Sequence, residues 1–261
     1  MTGTEVENDW ISGYLGMHVE RGTDETVTIS VPMDKRLDDD HMGVHPVALL
    51  MAIDMAAGLS AGYPALPRWT LTVDMSISLF PGPVARELRA EGTPTHIGGR
   101  LGLAEVTVTD GNDRTLAIAS INHALVPIRD RMPFVDMLPG EVTVPSRPEW
   151  THKSARDLYC TEPVPGQDLP SARLPLTEAT TNPWGLFHGA VLGHLALDAA
   201  GRAGITQPES LTIRFLRPTR VGPAHAAVTS TTATDTGSLC VIRTTDAHDG
   251  TATCLAHVRG R

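Results

Sequence analysis

The residues VALLMAIDMAAG at positions 47–58 place one aspartate, Asp54, in the middle of an otherwise apolar run. A helix over this run would be apolar on every side, so other parts of the fold must surround it. The helical neighbours of Asp54, three and four positions away, are apolar residues or glycine and cannot pair with a carboxylate. A buried, unpaired carboxylate is costly. Asp54 is therefore either paired by another segment for structure or retained for chemistry.

A similar arrangement recurs in the second half of the chain. Asn182 and Gly185 precede His188 and Gly189, and the apolar run that follows carries Asp198. Two dipeptide pairs also recur at a constant offset of 140: Leu71-Thr72 with Leu211-Thr212, and Gly82-Pro83 with Gly222-Pro223. Equal spacing over a strand and its following turn indicates that the same fold occurs twice in the chain.

The segments around each apolar helix have the pattern of strands separated by turn residues. In the first half the predicted strands are 14–20, 26–31, 69–79, 84–92, 101–109 and 115–126. In the second half a helix over 188–203 precedes predicted strands at 210–216, 224–233, 238–243 and 252–258. We expect an α+β protein with units at 1–128 and 149–261, joined by a linker at 129–148 that is rich in Pro, Met and charge.

Composition limits the classes of partner. The net charge of −9 argues against nucleic acid or an anionic membrane as the main partner. No stretch approaches an uncharged membrane span, because even the apolar run is interrupted at Asp54, and the acidic N-terminus does not resemble a signal peptide. Cys160, Cys240 and Cys254 have no disulfide or metal spacing, which favours reduced thiols in the cytoplasm. The histidines have no metal-ligand spacing either, so we predict no metal.

The motif Asn182-x-x-Gly185-x-x-His188-Gly189, the acid in an apolar helix, and the later Gly-Pro turn together resemble the hotdog-fold acyl-CoA thioesterases. Within them, the phenylacetyl-CoA and 4-hydroxybenzoyl-CoA type is the most similar. The resemblance implies two tandem hotdog units, each a long helix wrapped by an antiparallel sheet, that form an intramolecular pseudo-dimer. It also implies a site shared between the units, with coenzyme A as part of the substrate and no separate cofactor.

Thioester hydrolysis needs donors for the developing oxyanion and a carboxylate that attacks the carbonyl or activates water. By the family's pattern, the Gly189 N–H is the donor, and glycine avoids crowding the substrate. Asn182 would orient the thioester or water. His188 would hold the loop rather than act as a base. Asp54 would supply the carboxylate from the other unit.

The two halves are not equivalent in this motif. His45 and Asp54 are nine residues apart, whereas His188 and Asp198 are ten apart, and one residue is about 100° around a helix. The first half also has Pro46 where the second has Gly189, and proline has no N–H to donate. We therefore predict one competent site, formed by Asp54 with Asn182, His188 and Gly189, and one degenerate site.

Structural interpretations stand beside these functional ones. Asp54 could be a buried acid bonded to loop amides, and Asn182 a simple turn residue. Asp198 could pair with His194, four residues earlier on the same helix. Arg100, after Gly98-Gly99, could contact a coenzyme A phosphate or merely follow a turn, and Arg217 could equally be solvated.

Three functions compete at this stage. The leading one is acyl-CoA hydrolysis. Hydration or dehydration of enoyl thioesters is a second, with His41 or His45 acting beside Asp54, and a non-catalytic tandem unit that binds acyl thioesters is a third. Fold analogy does not separate them. Association of whole chains is also expected to be possible, because sheet faces remain to be covered.

Overall fold

The computed structural model describes residues 10–127, 141–143, 147–166 and 168–261, with the strand alone for 141–143. The first half contains α1 (Trp10–Leu15), β1 (His18–Arg21), β2 (Val27–Pro32), α2 (Pro46–Ala65), β3 (Arg68–Leu79), β4 (Glu87–Ile97), β5 (Leu101–Asp110) and β6 (Thr115–Pro127). The second half contains β7 (Glu141–Thr143), α3 (Ala155–Leu158), β8 (Glu162–Pro163), β9 (Ser171–Leu174), α4 (Gly189–Arg202), β10 (Pro208–Phe215), β11 (Ala224–Thr234), β12 (Gly237–Asp246) and β13 (Ala252–Gly260).

The expected α+β class is confirmed as a mixed fold with a large antiparallel sheet and few helices. The predicted strand at 14–20 is partly wrong, because residues 14 and 15 end α1 and pack their side chains into the core. The first apolar helix is longer than the predicted 47–58, since it continues to Ala65. Within the predicted linker, Glu141–Thr143 pairs with β1, while 128–140 and 144–146 lie outside the described residues.

All thirteen strands form one sheet, in the order β7-β1-β2-β4-β5-β6-β3-β10-β13-β12-β11-β9-β8. Outward from the central pair β3 and β10, one side runs β6, β5, β4, β2 and the other runs β13, β12, β11, β9. The strand order of the first half is therefore repeated in the second. β3 and β10 are antiparallel neighbours, and they join the two halves into a continuous sheet.

Helix α2 packs against strands of the first half, α4 packs against strands of the second, and the two helices contact each other. By length and composition α2 could cross a membrane, but 83% of its most apolar window is buried inside the protein. It serves as a core helix. The helix contact lies at Gly193, where an added Cβ would come 2.9 Å from Leu50 Cδ1. Glycine at this position lets the two helices approach closely.

Both helices are capped at their first turn by a histidine side chain. The His45 ring accepts a hydrogen bond from the Val47 N–H (3.3 Å), and the His188 ring accepts one from the Ala190 N–H (3.2 Å). Each bond satisfies one of the N–H groups that a helix leaves unpaired at its start. The residue after each histidine differs, since α2 begins with Pro46 and α4 begins with Gly189. This difference decides what each helix start can offer a ligand.

Candidate active site

Asp54 lies in the middle of α2, and its side chain is 11% exposed. Oδ1 accepts a hydrogen bond from Thr72 Oγ1 of β3 at 2.8 Å. Oδ2 faces the start of α4, 3.5 Å from His188 Nδ1. A Cβ added to Gly189 would lie 3.7 Å from Oδ2. The structure thus brings together Asp54 of the first half with His188 and Gly189 of the second, leaving one carboxylate oxygen directed at the helix start.

A β-bulge places Thr72 against Asp54. The register between β3 and β6 shifts between Thr72 and Asp74, where β3 has one extra residue. Leu71 is consequently 43% exposed, whereas Leu211 is fully buried. The two Leu-Thr pairs therefore face opposite sides of the sheet, although they occupy equivalent places along the chain. A bulge changes the direction of nearby side chains, and here it turns the Thr72 hydroxyl toward α2.

The start of α4 presents a free donor. The Gly189 N–H is one of the first N–H groups of the helix, and within the described residues it has no acceptor. The positive end of the helix dipole adds to its attraction for negative charge. A Cβ at this position would lie 3.1 Å from Phe215 Cζ. A larger residue would press against the Phe215 ring, so glycine keeps this close approach free of crowding, and it leaves an N–H donor near the Asp54 carboxylate.

His188 is oriented by two hydrogen bonds. Its backbone N–H donates to Thr180 O at 3.0 Å, and its ring Nδ1 accepts from the Ala190 N–H. Because Nδ1 is an acceptor, the neutral ring carries its proton on Nε2. With Nδ1 accepting from Ala190, His188 holds the helix start and has no Nδ1 proton to give to Asp54.

Asn182 builds the turn that precedes α4. Its Oδ1 accepts hydrogen bonds from the Trp184 and Leu186 N–H groups, both at 3.1 Å, and its own N–H donates to Leu186 O at 2.7 Å. The side-chain oxygen is therefore committed to the loop. The side-chain amide nitrogen makes no hydrogen bond within the described part of the chain, so it alone remains available for a ligand.

His123 of β6 is the site residue that sequence reasoning missed. It is fully buried, and its Nδ1 lies 3.5 Å from Thr72 Oγ1. Burial lowers the pKa of His123 to about 4, although the charges of Asp54 and Asp74 act in the opposite direction. The imidazole is therefore neutral at pH 7. Nothing in the sequence around His123 singled it out, because its relation to Thr72 depends on strand pairing.

The corresponding place at the start of α2 is filled by aromatic rings. The centroid of His45 lies 4.8 Å from that of His194 and 5.8 Å from that of Tyr159. His194 Nε2 is within hydrogen-bonding distance of Tyr159 O (3.1 Å). Burial, with His194 and Arg156 nearby, holds the pKa of His45 well below its usual value. This place has neither a free N–H at Pro46 nor a facing carboxylate among these residues.

Asp198 is a structural ion pair. Its Oδ2 accepts from Arg202 Nε at 2.7 Å and from Thr161 Oγ1 at 2.6 Å. The predicted pairing of Asp198 with His194 is wrong, because Arg202 follows Asp198 by one helical turn and reaches the carboxylate instead.

The two arginines predicted to contact coenzyme A are exposed. Arg100 lies in the turn between β4 and β5, whose Gly98 and Gly99 carbonyls accept from Arg68 Nη1 at 2.9 Å and 2.5 Å. Arg217 lies two residues beyond Phe215, the residue that approaches Gly189. Within the described residues neither arginine forms an ion pair with an acidic side chain.

Two surface clefts of the described structure lie away from this site. One is lined by His41, Pro81, Gly82, Gln207, Glu209 and Arg261. The other lies where β11 meets β12 and is lined by Thr232, Thr234, Thr236, Gly237, Ser238, Leu239 and Arg259. Across the described ranges, no cluster of three or more His, Cys, Asp or Glu side chains is arranged to hold a metal ion.

The fold is similar to that of solved thioesterases. An acyl-ACP thioesterase from Bacteroides thetaiotaomicron matches with a TM-score of 0.58 and 11% identity, over 90% of this chain and 97% of that chain. The 12:0-ACP thioesterase from Umbellularia californica matches with a TM-score of 0.58 and 10% identity, over 91% and 97%. No protein-family model and no curated protein matches the sequence. At these identities the likeness establishes a shared fold.

Proposed function

We propose that this protein hydrolyses an acyl-CoA thioester to the free acid and coenzyme A, at one site shared by its two halves. The observation that carries the proposal is the position of Asp54 Oδ2, which lies 3.7 Å from a Cβ built on Gly189, beside an N–H that has no acceptor within the described residues. A carboxylate and an oxyanion donor close to each other are the two requirements of this reaction. Thioesterases among the proteins of similar fold support this choice.

In the proposed reaction the thioester carbonyl oxygen accepts a hydrogen bond from the Gly189 N–H. Asp54 Oδ2 either removes a proton from water as the water attacks the carbonyl carbon, or attacks the carbon itself and forms an anhydride that water then opens. In both routes the negative charge on the carbonyl oxygen is stabilised at the start of α4. In the water route the carbon–sulfur bond breaks after water has added to the carbonyl carbon, whereas in the anhydride route it breaks as the anhydride forms, before water opens it. In both routes the thiolate leaves and takes up a proton.

We further propose that the architecture is a tandem hotdog pseudo-dimer, of the phenylacetyl-CoA and 4-hydroxybenzoyl-CoA thioesterase type, with units at 1–128 and 149–261. Residues on an approximate two-fold axis should meet their own equivalents. Asp74 of β3 is opposite Arg214 of β10, and these positions are 140 apart, the offset of the Gly-Pro repeats. Leu50 and Gly193, which each lie four residues after the first residue of their helix, also approach each other.

Coenzyme A is preferred over an acidic carrier protein as the thiol component, because a net charge of −9 would repel an acidic partner. A small anion needs only local positive charge. The exposed Arg217, near Phe215, is the first proposed phosphate contact, and Arg100 is the second.

The proposal includes no metal and no cofactor apart from the substrate's own coenzyme A. It places the protein in the cytoplasm, and it leaves room for association of whole chains.

Neither alternative function has an observation in its favour. Hydration of an enoyl thioester would need His41 or His45 beside Asp54. His41 is exposed, and the His45 ring packs at a tilt against the rings of His194 and Tyr159 instead. A binding module without catalysis would not require a carboxylate aimed at a free donor.

The test is thiol release from a panel of acyl-CoAs by the wild-type protein and by Asp54→Asn. We expect Asp54→Asn to keep the volume of the side chain and to lower the rate by roughly 10²–10⁴, because the amide cannot act as a base. A larger loss would favour direct attack by Asp54.

Asp198→Asn is the matched control, since it removes the other helical carboxylate and breaks the pair with Arg202. We expect it to retain its rate and to lose a little stability. Loss of activity in Asp198→Asn, with full activity in Asp54→Asn, would reverse the assignment. Thermal unfolding of each variant verifies that the fold is intact.

A further inference from the structure

His123 is a buried histidine for which hydrolysis, as described above, has no use. It lies on β6 between Thr72 of β3 and Gly102 of β5, its partners in the sheet register. The residue is fully buried. Its Nε2 is also buried and has no hydrogen-bond partner within the described structure. An unpaired polar atom in a protein interior calls for an explanation. The explanation lies in the contacts of the other ring nitrogen, Nδ1.

The proton positions follow from the distances. A threonine hydroxyl has one hydrogen to donate. Thr72 Oγ1 lies 2.8 Å from Asp54 Oδ1 but 3.5 Å from His123 Nδ1, so the hydrogen belongs to the bond with Asp54. Oγ1 can then interact with the imidazole only as an acceptor. The neutral ring can then bond to Oγ1 only from a protonated Nδ1, and this tautomer leaves Nε2 as the bare and unpaired nitrogen.

We propose that His123 is a positioning residue for thioester hydrolysis, which orients the Thr72 hydroxyl toward Asp54 Oδ1 and so keeps Asp54 Oδ2 directed at Gly189. The inference rests on the proposed function. The hydrogen bonds run in one direction, from His123 Nδ1–H to Thr72 Oγ1 and from Thr72 Oγ1–H to Asp54 Oδ1. Without the first bond, the Thr72 hydroxyl can rotate, and the carboxylate loses its fixed orientation.

The chain of contacts also explains why the bulge and the histidine occur together. The extra residue between Thr72 and Asp74 turns Thr72 inward, and the same strand pairing sets His123 beside it. A hydroxyl that both accepts and donates within a buried chain is polarised by its donor, which strengthens the bond to the carboxylate. The charged groups that act on His123 are Asp54 and Asp74, and burial outweighs both, so the ring stays neutral.

The first test compares His123→Asn with His123→Gln. The asparagine amide can place a donor where Nδ1 stands, whereas the glutamine amide reaches the place of Nε2. Both variants bury a neutral amide of similar polarity. We expect His123→Asn to keep kcat within about twofold, and His123→Gln to lose about 3- to 10-fold in kcat with KM unchanged, because one hydrogen bond is removed. Equal losses in both variants, with equal melting temperatures, would overturn the proposal.

The second test is a double-mutant cycle with Thr72→Val, which removes the hydroxyl. If His123 acts through Thr72, His123→Gln should cost less than about twofold in kcat when Thr72 is already valine. A His123→Gln loss of the same size in both backgrounds would show that His123 acts independently of Thr72, and would overturn the proposal.

A third measurement does not depend on turnover, so it separates this inference from the proposed function. In ¹⁵N–¹H correlation spectra we expect His123 to show a protonated Nδ1 and an unprotonated Nε2 from about pH 5 to about pH 8. Thr72→Val should shift the Nδ1 resonance. A protonated Nε2 would overturn the proposal even in an active enzyme. The expected tautomer in a protein that releases no thiol would instead contradict the proposed function alone.

Discussion

At the scale of single residues, the two oxygens of Asp54 have different surroundings. Oδ1 is held by the Thr72 hydroxyl, and Oδ2 faces His188 and Gly189. A carboxylate that is hydrogen-bonded at one oxygen keeps a fixed orientation while its other oxygen stays free to react, which is what a base or nucleophile requires. Asp198 differs in that its charge is paired, since Arg202 and Thr161 both donate to its Oδ2 in an ion pair that serves structure.

The three cysteines should differ sharply in reactivity. Burial raises the pKa of Cys254 to about 12 and raises that of Cys240 above its ordinary value, whereas Cys160 is exposed. Since the thiolate is the reactive form, we expect one thiol per folded chain to react with Ellman's reagent at pH 7, and three after unfolding. Cys160→Ser should abolish the native reaction. Two or more reactive thiols in the native protein would contradict the described burial. The same variant removes the background from thiol-release assays.

At the scale of elements, the starts of α2 and α4 share a histidine cap but differ at the next residue. Gly189 offers an N–H, and Pro46 does not. Proline suits the first position of a helix, because its fixed φ matches the helix and the missing N–H is unpaired there anyway. Both residues therefore suit the first position of a helix, although within the described residues only the Gly189 position offers an N–H without an acceptor.

This difference predicts how the two helix starts respond to exchange. A Cβ at Gly189 would lie 3.1 Å from Phe215 Cζ. Each substitution of Gly189 is therefore made together with Phe215→Leu, which relieves the crowding. Gly189→Pro in that background should lower the rate by roughly 10²–10³ relative to Gly189→Ala, which keeps the N–H. Pro46→Gly should add little activity, because His194 and Tyr159 fill the facing space.

Circular dichroism of each variant confirms that the helices are retained, and rates are then compared on the best acyl-CoA. Equal rates for the proline and alanine variants would show that the Gly189 N–H takes no part. A large gain from Pro46→Gly would show that the start of α2 is a second competent site.

At the scale of the whole molecule, β3 and β10 join the halves into one sheet, and the contact between α2 and α4 brings the two sets of site residues together. The proposed site exists only in the assembled chain, since Asp54 and Gly189 belong to different halves. The same assembly buries several histidines, including His45, His123 and His194.

Burial of these histidines predicts a pH dependence of stability. It lowers the pKa of all three below 6.5, to about 4 for His123. Between about pH 4 and pH 6.5 the unfolded chain binds more protons than the folded one, so the free energy of unfolding falls as pH falls through this window and is fully retained above it. For His123 alone, the loss by about pH 5 should be roughly 2 kcal/mol.

Urea unfolding at about pH 7 and about pH 5 measures the effect. In His123→Phe the free energy of unfolding should differ less between the two pH values than in the wild-type protein. Carboxylates affect the free energy of unfolding at lower pH. In Asp246, burial raises the pKa, but backbone donors including the Val221 N–H outweigh it and hold the pKa below 3.8. Equal unfolding free energies at the two pH values would contradict the histidine assignment.

The sequence by itself determined the features that depend on local pattern. The apolar run around Asp54, the alternation of the strands, the repeat of one unit, and the contrast between Pro46 and Gly189 can all be read along the chain, because helix and strand periodicity and the missing proline N–H are local properties. The predicted combination of Asp54 with His188 and Gly189 came from a family resemblance, and the structure places these three residues together.

Only the tertiary structure decided which side chains meet. The bulge after Thr72 puts the two Leu-Thr pairs on opposite sides of the sheet, and it sets Thr72 between Asp54 and His123. Arg202, rather than His194, reaches Asp198. The reason is physical: a one-residue shift in strand register moves a side chain to the opposite face, and such shifts depend on contacts between strands that are distant in the chain.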